Sequence, residues 1–260
     1  MHNPFAALPA AIPPIAMQTY VGAMILLVVC GTLADLAHKG SARYFFKHRQ
    51  IVSFGATRQV GAGEAAALAA QTVAVSVLAA GEFCSVWRRI THLLTMYGFV
   101  LYVVTTAVMV FAYPTAAAPG PAVLSELWYL GAALVCVGGY WYWLLQRVDV
   151  AAEGQSPLRL VRADLFILSL LASATFALIW ARVQAAGDQV WANVFFGIYL
   201  LSSTVLFASV PWSKFAHMFY KPAAAFQRRL EQANGFRANL PAPADRPATL
   251  GSDRGRPHNY

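Results

Sequence analysis

The chain contains 260 residues, of which 58% are apolar and only 12% are charged. Because soluble domains typically carry about 25% charged residues, this composition argues against a soluble enzyme and indicates an integral membrane protein. The net charge of +8 is not a nucleic-acid signature here, since positive charge beside membrane helices is a topology signal and suits anionic lipid head groups. We therefore expect membrane lipid as a partner and no nucleic acid.

Five apolar runs predict an all-α integral membrane protein, a bundle of five transmembrane helices. Each run holds about 20 residues, enough at 1.5 Å per residue to cross a hydrocarbon core of about 30 Å. Residues 1–16 lack the charged region and cleavage site of a signal peptide, so we expect the first span to be retained. Residues 1–16 are then expected to form a periplasmic N-terminal segment. A membrane domain is expected at 17–222 and a basic cytoplasmic tail at 223–260. The runs are Met17–Ala37, Ile90–Tyr113, Leu124–Leu145, Ala163–Ala181 and Val190–Trp212.

The distribution of basic residues predicts the orientation of the bundle. Among the 19 Lys and Arg residues, only Arg182 falls in a loop on one side of the predicted spans. Short loops rich in Lys and Arg stay cytoplasmic. The N-terminus is therefore expected outside and the C-terminus inside, in a multi-pass protein of the bacterial inner membrane.

One further apolar segment, Glu64 to Phe83, is 20 residues long and rich in alanine, with Gln71, Thr72 and Ser76 inside it. As a sixth span it would place Arg43 and Arg88 on opposite sides and remove the charge asymmetry. We expect instead a helix that lies at the cytoplasmic interface or packs under the bundle.

The cytoplasmic tail divides into two parts. Pro222 to Asn234 predicts a short amphipathic helix, with Pro222 near its start and Gly235 as its stop. Residues 236–260 have too few apolar side chains to form a core. Two interpretations stay open: a solvated tail with a lipid anchor, or a strip that orders on a soluble acidic partner.

Two histidines carry the strongest chemical hypothesis. His92 follows Ile90 at the cytoplasmic start of the second span, and His217 follows the end of the fifth. Two imidazoles at matching depth on separate helices are what a six-coordinate haem b requires. Arg89 or Lys214, or the nearby Arg88 or Arg162, would then pair with its propionates. The alternative is that each histidine is an ordinary interfacial residue, hydrogen-bonded or facing lipid.

Other polar residues near the membrane allow weaker interpretations. Asp164 opens the fourth span, where a carboxylate favours the helix N-terminus, so we expect a capping role. Asp35 and His38 end the first span and form a candidate quinone pocket, with ordinary interfacial placement as the alternative. Pro211 either aims His217 inward or marks the end of its span. The three cysteines form no C-x-x-C pair, so the chain does not ligate an iron–sulfur cluster by itself.

Several of these segments resemble the nitrate reductase gamma-type membrane cytochrome b family. Within that group the chain is most similar to the membrane subunit of the quinone-interacting membrane-bound oxidoreductase, to heterodisulfide reductase E-like proteins and, above all, to the membrane anchor of dissimilatory adenylylsulfate reductase. The resemblance covers roughly residues 15–225. It is carried by Arg89, His92, Gly98 and Phe99, by the span-four opening Arg162-Ala163-Asp164-Leu165, and by PWSKFAHMFYKP over 211–222.

The resemblance implies electron exchange between a cytoplasmic iron–sulfur flavoprotein, such as adenylylsulfate reductase, and the quinone pool. Carried onto this chain, it makes His92 and His217 the haem ligands, with catalysis in the partner. Two-haem relatives place two histidines on each of these spans, whereas Leu93 to Tyr113 and Val190 to Ala216 contain none. At most one haem is therefore expected.

Two other function classes remain beside the electron-transfer role. One is a haem-free docking protein that holds the same partner at the membrane. The other is a small transporter or sensor, which would need polar residues on mid-bilayer helix faces. The span interiors are almost wholly apolar in sequence, which disfavours that class.

Overall fold

The computed structural model describes residues 3–10, 12–39, 41–81, 83, 85–117, 120–147, 156, 159–161, 164–210 and 217–236. Over these residues the chain is helical and contains no β-strand. A 3₁₀ helix at Pro4–Ala10 precedes α1 (Pro14–Lys39), α2 (Ser41–Phe54), α3 (Ala62–Gln71) and α4 (Val86–Ala112). Then follow α5 (Ala122–Trp141), α6 (Leu165–Ala185), α7 (Gln189–Ala208) and α8 (His217–Asn234). Thr72–Leu78 extends α3 and Tyr142–Gln146 extends α5, both with π-helical geometry.

Five of these helices are long and apolar enough to cross a membrane, which confirms the predicted fold class. They are α1, α4, α5 with its extension, α6 and α7, and their mean hydropathy runs from 1.6 to 2.0. α4 begins at Val86, one turn before the predicted Ile90. α7 ends at Ala208, and the predicted span end at Trp212 lies outside the described residues. The orientation of the termini stays a prediction.

The chain forms two compact units. The first joins Met1–Lys39 to Trp87–His217 and contains the five long helices. The second joins Gly40–Val86 to Met218–Tyr260 and contains α2, α3 and nearly all of α8.

Glycines hold α4 and α5 of the first unit close together. A Cβ on Gly98 would lie 2.7 Å from the Val135 backbone nitrogen, and one on Gly131 would lie 2.7 Å from that of Tyr102. A Cβ on Gly138 would lie 2.8 Å from the Thr91 carbonyl oxygen. Helices in membranes associate through such small residues, because they let the backbones approach. The pairing runs antiparallel, so the start of α4 lies beside the end of α5.

The N-terminal 3₁₀ helix is packed into the bundle. The Phe5 ring lies between Trp128 and Trp180, with centroids 5.8 and 5.2 Å away in edge-on geometry. The Asn3 side-chain amide donates to the Tyr113 carbonyl oxygen at 2.9 Å, just after the end of α4. No packing role was predicted for this segment, because it is too short to show a helical period of apolar residues.

Hydroxyl groups connect four helices inside the bundle. The Ser173 hydroxyl of α6 lies 2.8 Å from Ser203 of α7 and 3.4 Å from Tyr102 of α4. The Tyr20 hydroxyl of α1 lies 3.1 Å from Thr204 of α7. Hydrogen bonds across helices satisfy polar groups that have no water partner in the hydrocarbon core. The span interiors are therefore less apolar than the sequence pattern alone indicated.

The second unit is built around α8. This helix begins at His217 rather than near Pro222, so the sequence prediction of its start was wrong. A proline this close to a helix start removes a single intrahelical hydrogen bond. Gly235 follows the last helical residue with φ +77°, as expected for a glycine stop. The Thr57 and Arg58 backbone amides donate to the Asn234 carbonyl oxygen at 3.0 and 3.2 Å, which satisfies the end of the helix.

The apolar segment that was expected near 64–83 is shorter than predicted. It is helical from Ala62 to Leu78 and is not among the five candidate spans. α8 contacts its far end, where the Arg229 guanidinium donates to the Ser76 hydroxyl at 3.3 Å. The placement of this helix at a membrane interface stays a prediction.

Candidate functional site

The antiparallel helices bring several of the predicted site residues to one end of the bundle. The Thr91 hydroxyl of α4 donates to the Gln146 side-chain oxygen at 2.9 Å, joining the start of α4 to the end of the α5 extension. At the opposite end, the Gln18 amide of α1 donates to the Val110 carbonyl oxygen at 3.2 Å. The end of α1, the start of α4 and the start of α6 therefore share one end, which we name the His92 end. α7 also leaves the bundle there.

His92 lies in the second turn of α4 and is half-buried. Its neighbour Thr91 is buried against α5 and fixes the rotation of this turn. His92 lies about 100° further round the helix, on the side it shares with the half-buried Phe99 one heptad later. The earlier helix start at Val86 thus places His92 well inside regular helix instead of at its edge.

His217 is the first residue of α8, and only its backbone belongs to the described part of the chain. Residues 211–216, with Pro211 and Lys214, lie outside the described residues, as does Arg162. The prediction that two imidazoles face one gap therefore stays a prediction. α7 does end at the His92 end, and the next helix along the chain starts at His217.

Arg147 forms a buried ion pair at the His92 end that the sequence pattern did not reveal. Its Nη1 atom lies 2.7 Å from Asp164 Oδ2, and the two side chains are only 6% and 9% exposed. The same nitrogen donates to the Arg159 carbonyl oxygen at 2.8 Å. The guanidinium carbon lies 4.1 Å from the centre of the Trp143 ring, in cation–π contact.

Asp164 is the N-cap residue of α6, as predicted, but its carboxylate does not cap the helix by hydrogen bonding. It makes no side-chain hydrogen bond to the first turn of α6. It accepts instead from Arg147 and from the Val161 backbone amide, the latter at 2.9 Å. A charge-assisted bond to a guanidinium is stronger than a neutral one, which explains why the carboxylate turns toward Arg147. A loop pairing of this kind leaves no periodic signal in the sequence.

The charges at this end differ in accessibility. The positive charge of Arg147 is balanced by Asp164 and withdrawn from water. Arg88 and Arg89 in the first turn of α4 are exposed. Arg159, whose carbonyl accepts from Arg147, is exposed as well. For an anionic group at the surface of this end, accessible cations are therefore present on α4 and at Arg159.

Asp35 and His38 do not share one environment. Asp35 is 3% exposed within α1, whereas the His38 side chain is exposed at the end of the same helix. A carboxyl group buried near a membrane interface is costly unless it has partners, and it commonly marks a functional site. The quinone pocket predicted from this pair stays a prediction.

The aromatic run at residues 140–143 contributes packing at the same end. The Trp141 ring lies 5.6 Å from that of Trp87. The Tyr140 hydroxyl lies 2.9 Å from that of Thr175. The first contact ties α5 to α4, and the second ties α5 to α6. Among the described residues, no group of three or more His, Cys, Asp or Glu side chains is placed to hold a metal ion, a finding that does not bear on a haem held by two histidines.

Comparison with known proteins gives one distant relative. The chain is 28% identical over 165 residues to citrate utilization protein B of Escherichia coli. The matched region covers 62% of this chain and 42% of the relative. The chain thus matches about two fifths of that protein's length. No protein-family model matches the chain, and no solved structure matches it. The comparisons support a distant relationship to this protein and do not establish membership of the cytochrome b family.

Proposed function

We propose that this chain is a membrane anchor and electron-transfer subunit that links a cytoplasmic iron–sulfur flavoprotein to the quinone pool through one haem b. The observation that carries the proposal is the half-buried His92 in the second turn of α4. It lies at the bundle end where α5, α6 and the exit of α7 toward His217 also meet.

In this proposal a haem would have two imidazole ligands. His92, inside a regular helix, would supply one nitrogen, and His217, the first residue of α8, would supply the second. Arg89 is exposed beside His92, and Arg89 and Lys214 would pair with the propionates. A six-coordinate haem b supplies one-electron transfer without binding a substrate at the iron.

A single haem at one end follows from the distribution of histidines. Neither the rest of α4 nor α7 contains another histidine. The opposite end of the bundle is filled by Phe5, Trp128 and Trp180. In this proposal electrons enter and leave at the His92 end, and they do not cross the whole membrane.

Quinone would be bound at the same end. Asp35 is a buried carboxyl group near the membrane surface, and His38 stands exposed one turn further along α1. Quinone reduction consumes protons, and ionisable groups at this depth exchange them with water. Asp35 and His38 are therefore proposed to line the quinone site and to deliver protons to it.

The soluble partner would perform the chemistry. Adenylylsulfate reductase working oxidatively is the partner implied by the motif resemblance; it would form adenylylsulfate from sulfite and AMP, and the two electrons released would come from sulfite. The name of the distant relative refers to citrate utilisation, so an iron–sulfur flavoprotein of citrate utilisation is a second candidate. Mixing purified chain with each partner and its substrates distinguishes them, because only the correct pair reduces a quinone analogue.

Two variants test the relay against a haem-free docking role. His92→Ala and His217→Ala are expected to lower partner-driven quinone reduction by more than tenfold, while partner binding stays within twofold of wild type. Unchanged turnover in both variants would leave only the docking role. A transporter or sensor is disfavoured, because the described interior hydroxyls of Tyr102, Ser173 and Ser203 bond to one another across helices.

A further inference from the structure

One helix of the second unit has an outer surface that is exposed in the described part of the chain. Arg43, Lys47, Gln50 and Phe54 recur at the i, i+4, i+7 and i+11 positions of α2, on one side of the helix. Phe46 and Ile51 flank them. We name this surface the α2 outer face, and all six side chains are exposed.

The opposite side of α2 packs against the chain itself. Val52 is buried, and the His48 ring nitrogen Nε2 lies 2.9 Å from Glu231 Oε1 of α8. The Phe236 ring stands edge-on to His48, with centroids 6.3 Å apart. Contacts within the second unit therefore fix the rotation of α2, so the outer face points away from the core of that unit.

The α2 outer face combines large apolar groups with positive charge. Phe54 is 90% exposed, Phe46 60% and Ile51 50%. Arg43, Lys47 and Arg49 are exposed on the same helix, and residues 41–54 contain no acidic side chain. Exposed aromatic groups of this size mark a binding surface. Aromatic and basic side chains on one helix are typical of a helix that lies in the plane of a membrane surface.

We propose that the α2 outer face binds the surface of a bilayer that contains anionic lipid. Phe46, Ile51 and Phe54 would enter the boundary between head groups and acyl chains, about 5–10 Å deep. Arg43 and Lys47 would contact lipid phosphates and anionic head groups. This surface shares no residue with the His92 end, and it does not depend on the proposed electron transfer.

The position of α2 in the chain favours lipid over a soluble partner as the occupant. α1, which is long and apolar enough to span a membrane, ends at Lys39, and α2 begins at Ser41. A helix that starts this close to the end of a span starts at the membrane surface. Aromatic residues flanked by cations are enriched at that level.

Spin-label depth measurements on the full chain in lipid nanodiscs test the proposal. The label is placed at Phe54→Cys or, as a matched control, at the exposed Gln59→Cys in the loop that follows α2. Both variants carry Cys30→Ala, Cys84→Ala and Cys136→Ala. In nanodiscs containing anionic lipid, relaxation by oxygen at position 54 is expected to exceed relaxation by a water-soluble nickel chelate several-fold. The control is expected to show the reverse.

Charge variants and an unlabelled experiment sharpen the result. Arg43→Gln with Lys47→Gln is expected to reduce the oxygen preference at position 54 at least twofold. Hydrogen exchange of residues 41–54 in the otherwise unmodified chain is expected to slow several-fold when neutral lipid is replaced by anionic lipid. Equal nickel access at positions 54 and 59, with no lipid dependence of exchange, would overturn the proposal. Protection that appears only on adding the soluble partner would overturn it too and would assign the face to that protein.

Discussion

The two ends of the five-helix bundle are built from different chemistry. At the end near Phe5, aromatic rings pack edge to face, and a 3₁₀ helix fills the space between α5 and α6. At the His92 end, a buried Arg147–Asp164 pair, a buried Asp35 and a half-buried histidine lie among the helix termini. Polar groups at such depth cost free energy and are retained where they serve a function. This difference supports placing the proposed electron-transfer site at the His92 end.

Breaking the ion pair should destabilise the His92 end most. Asp164→Asn leaves the Arg147 guanidinium buried without a countercharge, and losing one partner of a buried pair costs about 3–5 kcal/mol. The free energy of unfolding in detergent measures this loss. The double variant Arg147→Met with Asp164→Leu is expected to recover most of it, since apolar replacement of a buried pair is often neutral. A change below about 0.5 kcal/mol in Asp164→Asn would show that water reaches the pair.

Removing the Phe5 ring from between Trp128 and Trp180 should affect only the opposite end of the bundle. Phe5→Ala leaves a cavity between Trp128 and Trp180 and is expected to cost about 3 kcal/mol of unfolding free energy. Ala7→Ser, at an exposed position of the same 3₁₀ helix, serves as the control and should change little. Any haem absorption should be identical in both variants and wild type. An altered haem spectrum in Phe5→Ala would show that the two ends of the bundle are not independent.

Substituting a glycine at the contact between α4 and α5 should lower the stability by a smaller amount. Gly98→Ala places a Cβ against the Val135 backbone, and overpacking of this kind costs about 1–3 kcal/mol. Gly197→Ala is a matched control, because no atom lies within 4 Å of its Cβ position. The melting temperature should fall in the first variant and hold or rise in the second. Equal melting temperatures would contradict the close helix approach.

The smallest effect is expected in the second unit. A hydrogen bond from Arg58 lowers the pKa of the Glu64 carboxyl below its ordinary value of 4.5, and the positive charge of Arg58 acts in the same direction. Because this pKa is lowered in the folded state, the stability that the Arg58–Glu64 pair adds is fully present above pH 4.5. It disappears as the pH falls through the lowered pKa. Glu64→Gln should remove this pH dependence, with Arg58→Gln as the reciprocal variant. An unchanged acid transition in both variants would show that the pair adds no stability.

Much of the fold was accessible from sequence because a membrane span carries a strong signal. A run of about 20 apolar residues is long enough to cross the hydrocarbon core, so each span could be located from hydropathy alone. The residues that face each other are harder to predict, because they depend on how each helix is rotated. Tyr102, Ser173 and Ser203 come from three helices, and no spacing in the chain relates them.

The candidate site was only partly accessible for the same reason. His92 could be singled out as an ionisable residue near the end of an apolar run. The true start of α4 depends on Val86–Arg89, which contain two charged residues and so fall outside a hydropathy window. Arg147 was missed because its partner Asp164 lies across a connection between two spans. Its only sequence signal was a cation shortly after an aromatic run.

The difference spectrum of dithionite-reduced minus oxidised membranes tests the central claim most directly. The account predicts one haem b per chain in wild type and in His48→Gln, a histidine of the second unit that contacts Glu231. It predicts no haem signal in His92→Ala at equal protein level. A wild-type chain without haem, or a His92→Ala chain that keeps it, would contradict the account.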